Sequence, residues 1–221
     1  MHNKNSICSD YWNDFYSKNI APETPTDFSK YITKKYLTRP NKILDIGCGN
    51  GRDSAYFSML GHKVFCLEPA QTAKLEMLCE LYDMALFKVF LIKRKITISE
   101  MDNVLKSERF DSIYSRFSLH SVSSDDQNRL LDYCKDHLNR NGRLFIEVRS
   151  TEDALYGQGK KVEEEKNAFM TDHYRRFVDQ DELLQALRKR GYCIVESVKG
   201  KGLAVKGNED PIVIRVIAYI K

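Results

Sequence analysis

Three glycines at alternate positions, Gly47, Gly49 and Gly51, close an apolar run that begins at Lys42 and reads KILDIGCGNGRD. A short β-branched and aliphatic run that stops at glycine reads as a buried parallel strand entering a tight turn. Ala55, Phe57, Met59 and Leu60 follow at helical spacing, so the unit reads strand, glycine loop, helix. Glycine permits positive φ and lets a ligand approach the backbone, and the N–H groups of the following helix point at whatever the loop holds. A dinucleotide fingerprint would place its third glycine at position 52, where this chain has Arg52. That spacing argues against NAD or FAD. A second chemical signal is Glu68, which ends the next apolar run, Lys63–Glu68 (KVFCLE). A carboxylate at the tip of a neighbouring strand can accept hydrogen bonds from both ribose hydroxyls of a nucleoside.

Leu44-Asp45-Ile46-Gly47-Cys48-Gly49-Asn50-Gly51, with Glu68 at its distance, resembles the first motif and the ribose acid of class I S-adenosylmethionine-dependent methyltransferases. The resemblance implies an α/β fold, a Rossmann-like seven-stranded methyltransferase sheet with helices on both faces. It implies S-adenosyl-L-methionine as cofactor, released as S-adenosyl-L-homocysteine, and no metal. Cofactor contacts are then expected from Asp45, Gly47, Cys48, Gly49, Asn50, Gly51, Arg52, Asp53, Glu68 and Pro69, and from Ser115 and Arg116. In the family an acid past the third strand receives the adenine amine and the next apolar residue covers the ring. By position these are Glu100 and Met101, with Asp102 a rival acid.

The elements that must position these groups read as one domain, 1–221. Residues 10–37 form one or two helices, broken at Asn19–Pro25 (NIAPETP), with Tyr11, Trp12, Phe15 and Tyr16 clustered at helical spacing. This aromatic cluster either packs on the sheet or folds over the cofactor mouth and excludes water. The YWNDFY string resembles the N-terminal lid of small-molecule methyltransferases such as the tellurite-resistance and thiopurine groups, which makes Trp12 and Tyr16 candidates for cofactor contact. Leu75, Leu78, Cys79 and Tyr82 suggest a second crossover helix, and the third strand is placed at Lys95–Ser99. Phe110–Phe117 reads as the fourth strand, residues 125–138 as a helix stopped by Asn141-Gly142, and Arg143–Arg149 as the fifth strand. A helix over Asp181–Lys189 precedes Cys193–Val198 and Ile212–Ile220, an antiparallel pair by family analogy. Between the fifth strand and that helix lies an insert, residues 150–179, long for a crossover and placed to carry function. Its charge run Lys160–Lys166 reads as a solvated helix face.

Composition excludes several classes. Lys and Arg total 35 against 31 acids, +4 with the signs interspersed, which is too mild for a nucleic-acid footprint. The six cysteines show no C-x-x-C and read as reduced thiols of a cytoplasmic protein. MHNKNSICSD has no apolar core of a secretion signal, and Lys88 and Lys93 cut the longest apolar stretches, so neither export nor a membrane span is expected. Oligomeric state is not legible.

Methyl transfer from a sulfonium is an in-line displacement, so the protein must align an acceptor lone pair with the carbon–sulfur bond at about 3 Å. A sugar hydroxyl needs a base, whereas a phosphate or phosphoramidate oxygen is already anionic and needs cations, preferably arginine forks. At the switch point the chain offers Arg116 and His120 after the fourth strand and Arg149 at the tip of the fifth. The insert adds His173, Arg175 and Arg176, of which adjacency allows only one arginine to face the site. Each also has a plainer reading. His120 could cap the following turn, His173 could orient the lid through backbone bonds, and Arg149 could pair with Glu147 or Asp153. Glu147, mid-strand, is expected to pair with an inserted basic residue. The strings Tyr114-Ser115-Arg116-Phe117 with His120-Ser121, Glu147-Val148-Arg149-Ser150 with Asp153, and His173-Tyr174-Arg175-Arg176-Phe177 resemble methyltransferases of bacterial capsule and O-antigen synthesis. That resemblance implies a phosphate or phosphoramidate acceptor on a small molecule, a surface polysaccharide or its nucleotide-linked precursor. A sugar hydroxyl and a small soft nucleophile (a thiol or metalloid oxyanion) are the alternatives.

Overall fold

The computed structural model describes residues 4–18, 21–70, 89–93, 101 and 105–221. Helix α1, Lys4–Ser17, and helix α2, Asp27–Lys35, precede strand β1, Lys42–Ile46. Thr26 caps α2 by accepting from Ser29 N, which fixes where the chain turns into the sheet. The glycine loop leads to helix α3, Arg52–Met59, and then to strand β2, Lys63–Glu68. Strand β3, Val89–Lys93, pairs parallel with β2. The Lys95–Ser99 placement for this strand, the crossover helix at 75–82, Glu100 and Asp102 all lie outside the described residues.

Strand β4, Phe110–Arg116, leads through a short turn of helix, Leu119–Ser121, into helix α4, Ser124–His137. Strand β5, Leu138–Arg149, begins earlier than its apolar pattern suggests, because the helix stops at His137 while Asn141 takes φ 61° within the strand. The insert holds three short strands, β6 (Lys160–Lys161), β7 (Ala168–Met170) and β8 (Tyr174–Arg176), which form their own antiparallel sheet. The Lys160–Lys166 run is therefore not a helix face. It is strand β6 and an exposed connection that reverses at Asn167, φ 61°. Helix α5, Gln180–Lys189, capped by Asp179, precedes strands β9, Tyr192–Gly200, and β10, Val213–Ile220.

The main sheet has seven strands in the order β3-β2-β1-β4-β5-β10-β9. The first five are parallel, and β10 runs antiparallel to both β5 and β9. Alternation along each strand sends successive side chains to opposite faces. Ile43, Val64, Cys66, Tyr114 and Phe145 meet Phe28 and Ile32 of α2 and Phe57 of α3 on one face. Leu44, Phe65, Ile113, Leu144 and Ile146 meet Leu130 and Leu131 of α4 and Leu183 and Leu187 of α5 on the other. Strand order reverses between β1 and β4, so the loops after them splay apart and open a crevice at their carboxyl ends.

Candidate cofactor and acceptor site

That crevice is a cleft of about 890 Å³. Its nucleoside end is built by the glycine loop. Gly47 (φ 71°) and Gly49 (φ 61°) adopt left-handed backbone, and a Cβ on either would overlap Ser118 Oγ or Tyr16 Oη. Gly47 N and Cys48 N both donate to Leu67 O, at 2.8 and 3.1 Å, holding the loop against the tip of β2. Glu68 is buried there, its Oε2 accepting from Gly49 N at 2.7 Å and its Oε1 from Ala70 N at 2.9 Å. Burial pushes its carboxyl up to about 7 against the pull of those two N–H groups. Asp45, at the end of β1, accepts from Ser54 Oγ at 2.6 Å, and burial raises it to about 8. Asp53 ties α2, α3 and β4 together, accepting from Thr26 N, Thr26 Oγ1 and Tyr114 Oη at 2.8, 2.9 and 2.8 Å.

Helix α1 roofs the cleft. Tyr16 reaches Gly49, Trp12 stacks on Tyr16 at 6.0 Å between centroids, and Tyr11 stacks on His173 of the insert at 4.0 Å. The aromatic cluster thus spans the glycine loop and the insert. His173 is positioned by ring stacking together with its backbone bonds, its N–H donating to Asp172 Oδ1 at 3.1 Å and its carbonyl accepting from Thr171 N at 3.2 Å. Its Nδ1 lies 2.9 Å from Asp172 Oδ1, yet burial and Arg175 depress it to about 4.

Phe117 follows β4 with φ 55°, a conformation that costs an aromatic residue on the order of 1–3 kcal/mol and clusters at functional sites. Its N–H donates to Glu147 O at 2.8 Å, and its ring lies 4.3 Å from the Arg116 guanidinium and 5.7 Å from that of Arg149. His120 is buried beside it, 5.4 Å between rings, and its Nδ1 has no hydrogen-bond partner among the described residues. Burial, then Arg149, Arg175, His173 and Arg116, hold this imidazole well below its usual range, so it is neutral. The three arginines at the acceptor end are each paired with a carboxylate. Arg116 Nε donates to Glu147 at 2.8 Å, Arg149 Nη1 to both oxygens of Asp153 at 3.1 Å, and Arg175 Nη2 lies 3.8 Å from Asp172.

The sequence of residues 18–197 matches the family model described as a methyltransferase domain. The chain belongs to this methyltransferase-domain family. It is 25% identical over 156 residues to the probable S-adenosyl-L-methionine-dependent methyltransferase TehB of Haemophilus influenzae, a match covering 65% of this chain and 46% of that protein. The chain therefore spans about half the length of that curated relative. Among solved structures it is similar to the 1,6-didemethyltoxoflavin N1-methyltransferase of Burkholderia thailandensis, bound to S-adenosylhomocysteine, at TM-score 0.67 and 23% identity over 88% of this chain and 76% of that one. Magnesium protoporphyrin IX methyltransferase of Synechocystis PCC 6803, also with S-adenosylhomocysteine, superposes at TM-score 0.70 and 10% identity over 99% and 100%. These likenesses show the fold. Membership makes this chain a methyltransferase domain, and both of those similar structures hold S-adenosylhomocysteine.

The methyltransferase's own residues fit that cofactor. Each Glu68 oxygen takes one backbone N–H and keeps a lone pair for a ribose hydroxyl, and the missing Cβ atoms at Gly47 and Gly49 let Ser118 and Tyr16 close against the loop beside it. Asp45, Gly47, Cys48, Gly49, Asn50, Arg52, Asp53, Glu68, Pro69 and Met101 all line the cleft, with Trp12 and Tyr16 above them. Gly51 stands behind the loop as the residue that opens α3. Ser115 does not line the cleft. Strand alternation points Tyr114 and Arg116 into it, leaving Ser115 buried between Ile46 and Ile146.

At the acceptor end Arg116, His120, Arg149, His173 and Arg175 come together on the cleft. Arg176 does not. Alternation along β8 turns it inward, where it donates to Val122 O, Leu119 O and Gln127 Oε1 at 3.0, 3.2 and 2.6 Å. Glu147 pairs with no residue of the insert. Its carboxylate bridges Arg116 and Arg215 of β10. Sequence reasoning missed Phe117, Ser118 and the wall formed by Leu203, Val205 and Lys206 between β9 and β10. The sequence offered Phe117 only as the end of the fourth strand and as part of a family-like string, and its strained conformation beyond the strand tip is a structural finding.

Proposed function

We propose that this methyltransferase transfers the methyl group to an anionic oxygen, of the phosphate or phosphoramidate kind, on a small or glycan-linked acceptor in the cytoplasm. The observation that carries this reading is His120, a buried neutral imidazole among three arginines. A general base works best when its pKa lies near the operating pH, and this one is held far below. A sugar hydroxyl, which must lose its proton, is poorly served. An acceptor already ionised needs no base, and the excess positive charge at Arg116, with Arg149 and Arg175 beside it on the cleft, suits it.

S-adenosylmethionine supplies an electrophilic methyl group on a sulfonium when bound. Glu68 and the glycine loop hold the nucleoside, and Arg52 at the start of α3 offers a cation for the amino-acid carboxylate. Arg116 attracts the acceptor anion and Arg149 and Arg175 orient it, while His120 donates or accepts one hydrogen bond that fixes its rotation. Tyr11, Trp12 and Tyr16 exclude water from above.

A screen for S-adenosylhomocysteine release tests the reading, with sugar 1-phosphates and cytidine-linked phosphoramidates on one side. Neutral sugars, thiols and metalloid oxyanions stand on the other. Turnover confined to phosphorus oxyanions is the expected result; turnover of a neutral sugar alone overturns it.

A further inference from the structure

We infer that Arg215, which does not line the cleft, is a positioning residue that gives the acceptor end its unbalanced positive charge through Glu147 and Arg116. The inference rests on the anionic-acceptor reading and names what sets its selectivity. Pairs cancel. Arg149 is faced by Asp153, with Glu209 3.7 Å away on its other side, and Arg175 is faced by Asp172. At the protein surface a neutral ion pair attracts an arriving anion only weakly.

Glu147 is the exception because it is shared. Its carboxylate is fully buried, with Oε1 taking Arg116 Nε at 2.8 Å and Oε2 taking Arg215 Nε at 2.6 Å. The three side chains together carry one excess positive charge; Arg116 and Glu147 both line the cleft, and Arg116, 18% exposed where Glu147 is fully buried, is the member an arriving anion meets. A buried carboxylate needs only one guanidinium for neutrality, and a second buried charge is expensive to desolvate. Arg215 is nonetheless pinned on several sides. It donates to Leu203 O, in the wall of the cleft, and its guanidinium lies 4.9 Å from the Phe28 ring and 6.0 Å from that of Tyr31. So fixed, it holds one oxygen of Glu147 and leaves the Arg116 charge only partly compensated toward the acceptor.

The test uses the S-adenosylhomocysteine-loaded full chain at pH 8, titrated calorimetrically with phenyl phosphate and, as the uncharged control, benzyl alcohol. Arg215→Leu is expected to raise the Kd for phenyl phosphate about tenfold, with benzyl alcohol changed less than about twofold. The double variant Glu147→Gln/Arg215→Leu restores the net charge and is expected to return phenyl phosphate to within about threefold of wild type. A structural role alone would make the double variant worse than the single. Arg215→Gln makes the same charge change should the leucine variant fail to fold. Wild-type affinity for phenyl phosphate in a folded Arg215 variant, or no recovery in the double variant, overturns the inference. Equal binding of both probes by wild type overturns the anionic-acceptor reading itself.

Discussion

Replacing Glu68 by glutamine and varying pH tests the cofactor end quantitatively. The carboxyl is pushed up to about 7 by burial, so about one-eleventh of it is ionised at pH 6 and ten-elevenths at pH 8. The ionised form accepts the ribose hydroxyls best, because both oxygens then keep lone pairs beyond their bonds to Gly49 N and Ala70 N. S-adenosylhomocysteine should therefore bind about tenfold more tightly at pH 8 than at pH 6, about 1.4 kcal/mol. Protons are released on binding below pH 7. Calorimetry at fixed ionic strength reads both quantities. Glu68→Gln should lose this pH dependence, and the difference between the two proteins removes any titration of the ligand's own amino group. Glu68→Ala should weaken binding at pH 8 by roughly 1.5–3 kcal/mol, through lost charge-assisted bonds and two unpaired N–H groups. A wild-type Kd that matches Glu68→Gln at every pH would refute the reasoning.

Four further outcomes follow from the same geometry. Ligand-free protein should lose stability as pH rises from about 4 to 8, because Asp45 at about 8 and Glu68 at about 7 hold protons that the unfolded chain has released. Asp45→Asn should flatten the fall in Tm. Arg149→Ala should abolish acceptor turnover with cofactor affinity unchanged, and loss of cofactor binding would remove Arg149 from the acceptor site. Arg176→Ala should instead cost about 1–3 kcal/mol of stability in denaturant melts, since it leaves Leu119 O, Val122 O and Gln127 Oε1 short of a donor. Gly49→Ala should weaken cofactor binding by at least ~1–2 kcal/mol from left-handed strain alone, and Tyr16→Ala in the same chain should relieve only the steric share.

The cofactor half was legible because strand, turn and acid are local facts. A run such as KILDI followed by alternate glycines can do little but enter a tight turn, and Glu68 announces itself by ending an apolar strand. The helices beginning near Thr26, Ser123 and Asp179 were equally local, each fixed by a capping side chain. The antiparallel placement of β9 and β10 came from family likeness and agrees with the fold.

What tertiary structure alone decided is which side of each strand a charge faces and whom it meets. Arg175 and Arg176 are adjacent, yet one reaches the cleft and the other caps carbonyls around the turn that carries His120. Ser115 and Arg116 divide in the same way. Glu147 meets Arg215 across 68 residues, a contact that no spacing rule reaches. Side-chain alternation follows from backbone geometry and is readable only once the strand's register is known. Register between distant strands is set by packing of the whole sheet, so the chemistry of the acceptor end had to wait for the fold.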